Sequence, residues 1–192
     1  MTRALSLIAL GLALGLPRVA SAAVDGWWKS VDDETGNIRS IVHIEIVGGK
    51  AKGTIVQLFR QPDEIPDPLC TACAAPLNTH KIVGLEIMSG LTPDGATWSG
   101  GSILDPASGS VYSVFIEELD AGKQLKVRGY MGFSLLGRTQ TWYRTAAPDA
   151  SIRTYLMNKA GKPLPYVYAD GHTTDIPALE AHIGGPLPPR TP

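Results

Sequence analysis

Hydrophobic and polar residues alternate along most of the chain between residues 24 and 145. The clearest case is the segment 38–46, where one set of alternate positions holds Ile38, Ser40, Val42, Ile44 and Ile46. A period of two is typical of a strand with one buried face. The pair Gly48 and Gly49 follows this segment and predicts a tight turn, after which 52–59 returns as the partner strand.

Similar short strands are expected along the rest of this region, and turn sequences rich in Gly, Pro and Asp separate them. The further predicted strands are 27–30, 81–88, 97–104, 111–119, 124–131 and 138–145. Helical periodicity is almost absent, and closing a meander of strands removes its exposed edges. The sequence therefore predicts an all-β fold, an antiparallel up-and-down β-barrel of eight or nine strands.

The chain divides into three parts by composition. Residues 1–22 carry Arg3, an apolar run from Leu5 to Leu16 and a small-residue site ending at Ala22, which is typical of a signal peptide. We expect a barrel domain at 23–145 and an exported protein, periplasmic or secreted. No later stretch is apolar enough to predict a transmembrane segment.

The C-terminal extension, 146–192, holds eight of the 15 prolines and is expected to be mostly irregular. Short helices are predicted at 151–159 and 175–183. The second has Asp175 as its cap and Pro177 in its first turn.

Charge excludes one class of partner. The net charge of the chain is −1, and the expected leader removes two arginines and no acid, which leaves −3. A broad basic surface for nucleic acid is therefore not expected.

Cys70 and Cys73, the only cysteines, lie in a proline-rich loop spanning 61–80. An exported pair this close favours a local disulfide. Two other interpretations stay open: a redox dithiol, and a metal site with His80 as a third ligand.

No other motif points to catalysis. The remaining histidines are scattered, and Ser134 lacks the strand–turn–helix context of a nucleophile elbow. We therefore predict no catalytic residue, no bound metal and no cofactor, and whether the protein is an enzyme stays open.

The first and last strands carry a pattern with a structural interpretation. Gly26 and Trp28 lie on the first strand, and Trp142 and Arg144 lie on the last. These strands are neighbours in a closed barrel, so a tryptophan could stack under the arginine and close one end. The Gly-x-Trp motif on the first strand resembles the lipocalin and calycin pattern.

A wider series of motifs covers most of the barrel region. In order, these are the acidic turn 32–36, the Cys70-x-x-Cys73 pair, Trp98-Ser99-Gly100-Gly101, Asp105-Pro106-x-x-Gly109 and the segment 125–142. The series resembles the exported bacterial family called domain of unknown function 2147. The resemblance implies a lipocalin-like barrel and supplies no catalytic residue.

Four polar residues on the last two strands are explained least by the fold: Arg128, Tyr130, Arg138 and Gln140. Facing the lumen, they would form a cationic pocket for a small molecule. Our first hypothesis is therefore a protein that binds a small lipophilic or anionic molecule in the cell envelope. The alternatives are an interaction protein acting through 61–80 and the extension, with partners unknown, and a thiol-redox or other envelope enzyme.

Overall fold

The computed structural model describes residues 24–186. Within them the chain forms ten β-strands, one α-helix and two short 3₁₀ helices, Leu77–Thr79 and Asp120–Gly122. The strands are β1 (Gly26–Val31), β2 (Ile38–Val47), β3 (Lys50–Arg60), β4 (Glu86–Asp94), β5 (Thr97–Leu104), β6 (Val111–Leu119), β7 (Gln124–Tyr130), β8 (Gly137–Thr145), β9 (Ile152–Met157) and β10 (Pro163–Tyr168), and the helix is α1 (Ile176–Ile183). The expected signal peptide lies outside the described residues.

Strands β1 to β8 form a closed antiparallel barrel. Each strand pairs with the next one along the chain, and β1 pairs with β8 to complete the circle. The predicted all-β, up-and-down barrel is confirmed, with eight strands in the barrel itself. The predicted turn at Gly48 and Gly49 is also present, and both residues have positive φ, as a tight hairpin turn between strands requires.

The alternating directions of the strands give the barrel two different ends. The strands β1, β3, β5 and β7 run toward the end that we call the mouth, where the loops 32–37, 61–85, 105–110 and 131–136 lie. The opposite end, the base, carries the short connections 48–49, 95–96 and 120–123. The mouth therefore has the longer loops, and the base is where the chain enters β1 and leaves β8.

Register decides which side chains face the interior. Leu125 pairs with Trp142 and Val127 pairs with Gln140, and Leu125, Val127 and Trp142 are all buried. Opposite residues of an antiparallel pair point to the same face of the sheet. Gln140 and its alternate neighbours on β8 therefore face the lumen.

One strand begins later than the sequence predicted. The expected strand at 81–88 starts only at Glu86, because the preceding residues serve to cover the barrel. Ile82 packs against the core, and Gly84, with a φ of +97°, donates its backbone N–H to the Ile55 carbonyl at 2.8 Å. The mouth connection is thus longer than the predicted loop 61–80.

The C-terminal extension is docked on the barrel wall. The helix predicted at 151–159 is wrong: β9 occupies this segment and pairs in parallel with the upper part of β3. The alternation of buried Ile152, Thr154 and Leu156 explains the strand. The second predicted helix is confirmed as α1, whose cap Asp175 accepts a hydrogen bond from the Ala178 N–H at 3.0 Å.

Candidate functional site

A cavity of about 720 Å³ occupies the upper part of the barrel and opens at the mouth. This volume lies within the range of roughly 300–1,000 Å³ that is usual for small-molecule sites. Its wall combines apolar and polar surface in nearly equal shares, and the apolar side chains come from five different strands and the mouth loop. They include Ile55, Leu58, Ile82, Ile87, Ile103, Val127 and Trp142.

Polar groups form the rest of the wall. Ser30 and Ser40 face each other across β1 and β2, with their hydroxyl oxygens 2.6 Å apart. On β8, the Gln140 side-chain oxygen accepts a hydrogen bond from the Trp142 indole N–H at 3.2 Å. The Trp142 indole thus engages only the oxygen of the Gln140 amide. The N–H₂ group of that amide remains a hydrogen-bond donor in the cavity lining.

Two arginines share one carboxylate at the mouth. Glu64 lies 2.8 Å from the Arg39 guanidinium and 3.6 Å from that of Arg60. Burial lowers the pKa of Arg60, while the nearby charge of Glu64 opposes that shift. Asp63 also acts on Arg60, and Asp32 acts on Arg39, so both guanidiniums lie among several carboxylates at the mouth.

Sequence reasoning missed both of these arginines. Arg39 lies next to Ser40 at the mouth end of β2. The loop that carries Glu64 therefore folds back over the Arg39 side chain. Arg60 ends β3 and donates to the Ile65 carbonyl at 3.0 Å. The alternation could have indicated Ser40 as a lumen residue, but no local pattern predicts how a loop returns over the strands.

Arg138 is the third arginine of the mouth. It lines the cavity and pairs with Asp33 of the β1–β2 turn at 3.1 Å, in an exposed position. The neighbouring Asp32 is engaged by its own turn, where it accepts hydrogen bonds from the Thr35 backbone N–H and hydroxyl. These bonds lower the pKa of Asp32, the backbone N–H of Thr35 contributing most. The acidic run is therefore a structured turn beside the arginine.

The other two candidate side chains lie on the outer wall. Arg128 pairs with Thr139 in the register and donates to the Thr139 hydroxyl at 2.6 Å. The Tyr130 ring lies against Phe115, with 6.5 Å between the ring centroids, although the residue borders the mouth. The structure thus separates the four candidates: Arg138 and Gln140 line the cavity, Tyr130 borders its mouth, and Arg128 lies on the outer face of β7 because the Leu125 face of that strand points inward.

The base of the barrel is closed by an arginine over a tryptophan. The Arg144 guanidinium carbon lies 4.1 Å from the centre of the Trp28 ring, and the Trp28 indole N–H donates to the Val24 carbonyl at 2.8 Å. A Cβ atom at Gly26 would come within 2.9 Å of the Arg144 Nη1 atom, so the first residue of the Gly-x-Trp motif leaves room for the guanidinium. This is the arrangement expected from the first and last strands.

The cysteine pair stiffens the cover of the mouth. Cys70 and Cys73 are bonded as a disulfide and are both buried. Ala72, between them, lines the cavity and contacts the β5–β6 turn so closely that a Cβ at Gly109 would overlap the Ala72 carbonyl. The long loop is thereby fixed against the neighbouring turn.

Residues 24–186 contain no group of three or more His, Cys, Asp or Glu side chains arranged to hold a metal ion. Over the same residues, no helix has the length and apolar character needed to cross a bilayer.

Comparison with solved structures places the barrel in the lipocalin-like class. It is similar to protein HP1028 from Helicobacter pylori, which is described as belonging to the lipocalin family. The TM-score is 0.54 at 18% sequence identity, over 64% of this chain and 82% of that one. At this identity the similarity concerns the fold alone.

The particular family is shown by the sequence itself. Residues 26–144 match domain of unknown function 2147, described as an uncharacterized protein conserved in bacteria, and the chain belongs to this family. The matched region covers all eight barrel strands except the last residue of β8. No curated protein matches the chain.

Proposed function

We propose that this protein binds a small lipophilic molecule with an anionic end group inside the barrel. The observation that carries the proposal is the cavity of about 720 Å³, which is closed at the base and open at the mouth. Its depth is lined by aliphatic and aromatic side chains, which favour an apolar body. Its entrance carries arginines, which favour a carboxylate or phosphate.

The positions of the charges support this orientation. Arg39 and Arg60 share Glu64, so a ligand carboxylate could be bound without removing that ion pair. Arg138 and Gln140 extend the polar surface from the mouth toward Trp142. A ligand with its apolar end toward the base would therefore bury its chain and keep its charge at the entrance.

We also propose that the protein acts outside the cytoplasm, in the periplasm or after secretion. The leader-like sequence 1–22 supports export, and the Cys70–Cys73 disulfide supports an oxidising compartment. Because both cysteines are buried within the mouth loop, we assign the pair a structural rather than a redox role.

Titration with cis-parinaric acid, a fluorescent long-chain carboxylate, tests the cavity. We expect saturable binding, and we expect Ile103→Trp, which fills the lumen, to weaken it about tenfold or more. Ser113→Trp is the matched control, since Ser113 is exposed on the outer wall of the adjacent strand β6 and its variant should bind within about twofold of the unmodified protein. Equal binding by both variants would place the probe outside the barrel and refute the proposal.

The charged end is tested separately with the methyl ester of the same probe. Arg39→Gln should weaken binding of the acid about three- to tenfold, because one guanidinium is lost, and should leave the uncharged ester nearly unchanged. A variant that weakens both probes equally would show that Arg39 shapes the site without recognising the charge.

A further inference from the structure

The hairpin between β7 and β8, residues 131–136, exposes an unusual number of large apolar side chains. We call this segment the apolar tip. Met131 is 64% exposed, Phe133 78%, Leu135 89% and Leu136 72%. Scattered single apolar residues are normal on protein surfaces, but four of them in six residues form a concentrated feature.

Hydrogen bonds hold the apolar tip in a defined shape. The Leu136 N–H donates to the Phe133 carbonyl at 2.9 Å and closes a turn. From the outer wall, Arg128 donates to the Ser134 carbonyl at 2.8 Å and to the Leu135 carbonyl at 3.3 Å. The apolar side chains are thus presented by a fixed backbone, which reduces the entropy lost when they bind a partner.

The charges beside the apolar tip favour an anionic surface. Within residues 24–186, Arg128 contacts carbonyl and hydroxyl oxygens but forms no ion pair with a carboxylate. Arg138 stands at the other foot of the hairpin and is paired with Asp33 alone. The Arg128 side of the apolar tip thus carries a guanidinium with no carboxylate partner among the described residues, a combination that matches anionic lipid headgroups above an acyl layer, whereas the acidic turn 32–36 lies on the Arg138 side.

We propose that the apolar tip inserts into the interface of an anionic lipid bilayer. Met131 and Leu136 also line the cavity, so insertion would bring the mouth to the lipid surface. This surface shares Met131 and Leu136 with the cavity rim, but the inference goes beyond the function proposed above, because a protein with an empty barrel would still dock.

The size of the apolar tip favours a bilayer over a protein partner. A stable protein interface takes roughly 20–30 residues from each side, whereas this feature is a hairpin end of six residues. Interfacial insertion needs only a few apolar side chains with basic residues near the headgroups. A second copy of the chain is the main competing occupant.

Vesicle co-sedimentation of the ligand-free protein tests the proposal. We expect binding to vesicles of three parts phosphatidylcholine to one part phosphatidylglycerol, and weaker binding to pure phosphatidylcholine. The double variant Phe133→Ser, Leu135→Ser should lower the partition coefficient about tenfold or more. The double variant Ile46→Ser, Val47→Ser removes exposed apolar side chains at the base and should stay within about twofold of the unmodified protein.

Insertion itself has a spectroscopic signature. The Phe133→Trp variant should gain fluorescence that brominated lipids quench, beyond the quenching of the unmodified protein. Equal vesicle binding by the two double variants would overturn the proposal. The proposal would also be overturned if the unmodified protein formed a dimer without vesicles in analytical ultracentrifugation and the variant Phe133→Ser, Leu135→Ser did not. Binding of parinaric acid by the same variant, measured without lipid, tests the cavity proposal separately. Unchanged binding of the acid would show that the cavity is intact whatever the result with vesicles.

Discussion

At the scale of single residues, two arginines on the same face of β8 have opposite surroundings. Arg138 reaches the mouth and pairs with Asp33 in an exposed position. Arg144 lies at the base over Trp28, donates to the Asp25 carbonyl at 2.9 Å and contacts Glu118, whose side chain is only 12% exposed. The same residue type therefore lies at the open mouth of the cavity at one end of the strand and covers the core at the other.

Replacing Arg144 with methionine should lower the free energy of unfolding by about 3 kcal/mol, because the largely buried Glu118 carboxylate would lose its cation. Urea unfolding followed by tryptophan fluorescence measures this change. Arg138→Met is the control and should cost less than about 1 kcal/mol, since exposed ion pairs contribute little. Equal losses in the two variants would contradict the structural role of Arg144.

At the scale of elements, the alternation of hydrophobic and polar residues predicted most of the strands, but it predicted only in part which side chains face the lumen. The register that buries Leu125 and Trp142 sends Gln140 inward and Arg128 outward. The sequence contained both alternations, but β7 and β8 each offer a polar face, and which face turns inward depends on packing across the whole barrel. Strand β9 was missed because three alternate positions in a proline-rich region are a weak signal.

The β5–β6 turn and the disulfide loop should depend on each other. Gly109→Ala places a Cβ atom in the Ala72 carbonyl, and the φ of Gly109 is +72°. Gly95→Ala is the matched control, because Gly95 has a φ of +61° with nothing within 4 Å of the added atom. Backbone strain alone should cost Gly95→Ala about 1 kcal/mol, and overlap should cost Gly109→Ala a further 1–3 kcal/mol, roughly.

Thermal or urea unfolding of the two glycine variants gives the comparison. Protease cleavage within 61–85 should also become faster for Gly109→Ala alone, because its clash falls on the backbone of that loop. If the two variants lose equal stability and resist protease equally, the loop moves away at little cost and the turn does not fix it.

At the scale of the whole molecule, the extension completes the barrel wall. Near the mouth, β3 has left β4 and pairs instead with β9 through Leu58, Phe59 and Arg60. The buried Gln57 side chain donates to the carbonyls of Asp149 and Ile152 at 2.9 and 2.8 Å. Although the family match ends at residue 144, the extension thus satisfies polar groups that belong to the barrel.

A chain ending at Ala147 should therefore be less stable by about 3 kcal/mol or more, because Gln57 would lose both acceptors and β3 would expose an unpaired edge. That edge should also promote self-association, measurable by analytical ultracentrifugation. A chain ending at Pro186 keeps β9, β10 and α1 and should unfold like the full chain. If the chain ending at Ala147 remained monomeric and unfolded at the same urea concentration as the full chain, the barrel would be complete without β9. The loop 61–85, which already exchanges backbone hydrogen bonds with Ile55 of β3, would then be expected to pair with the mouth end of β3 in place of β9.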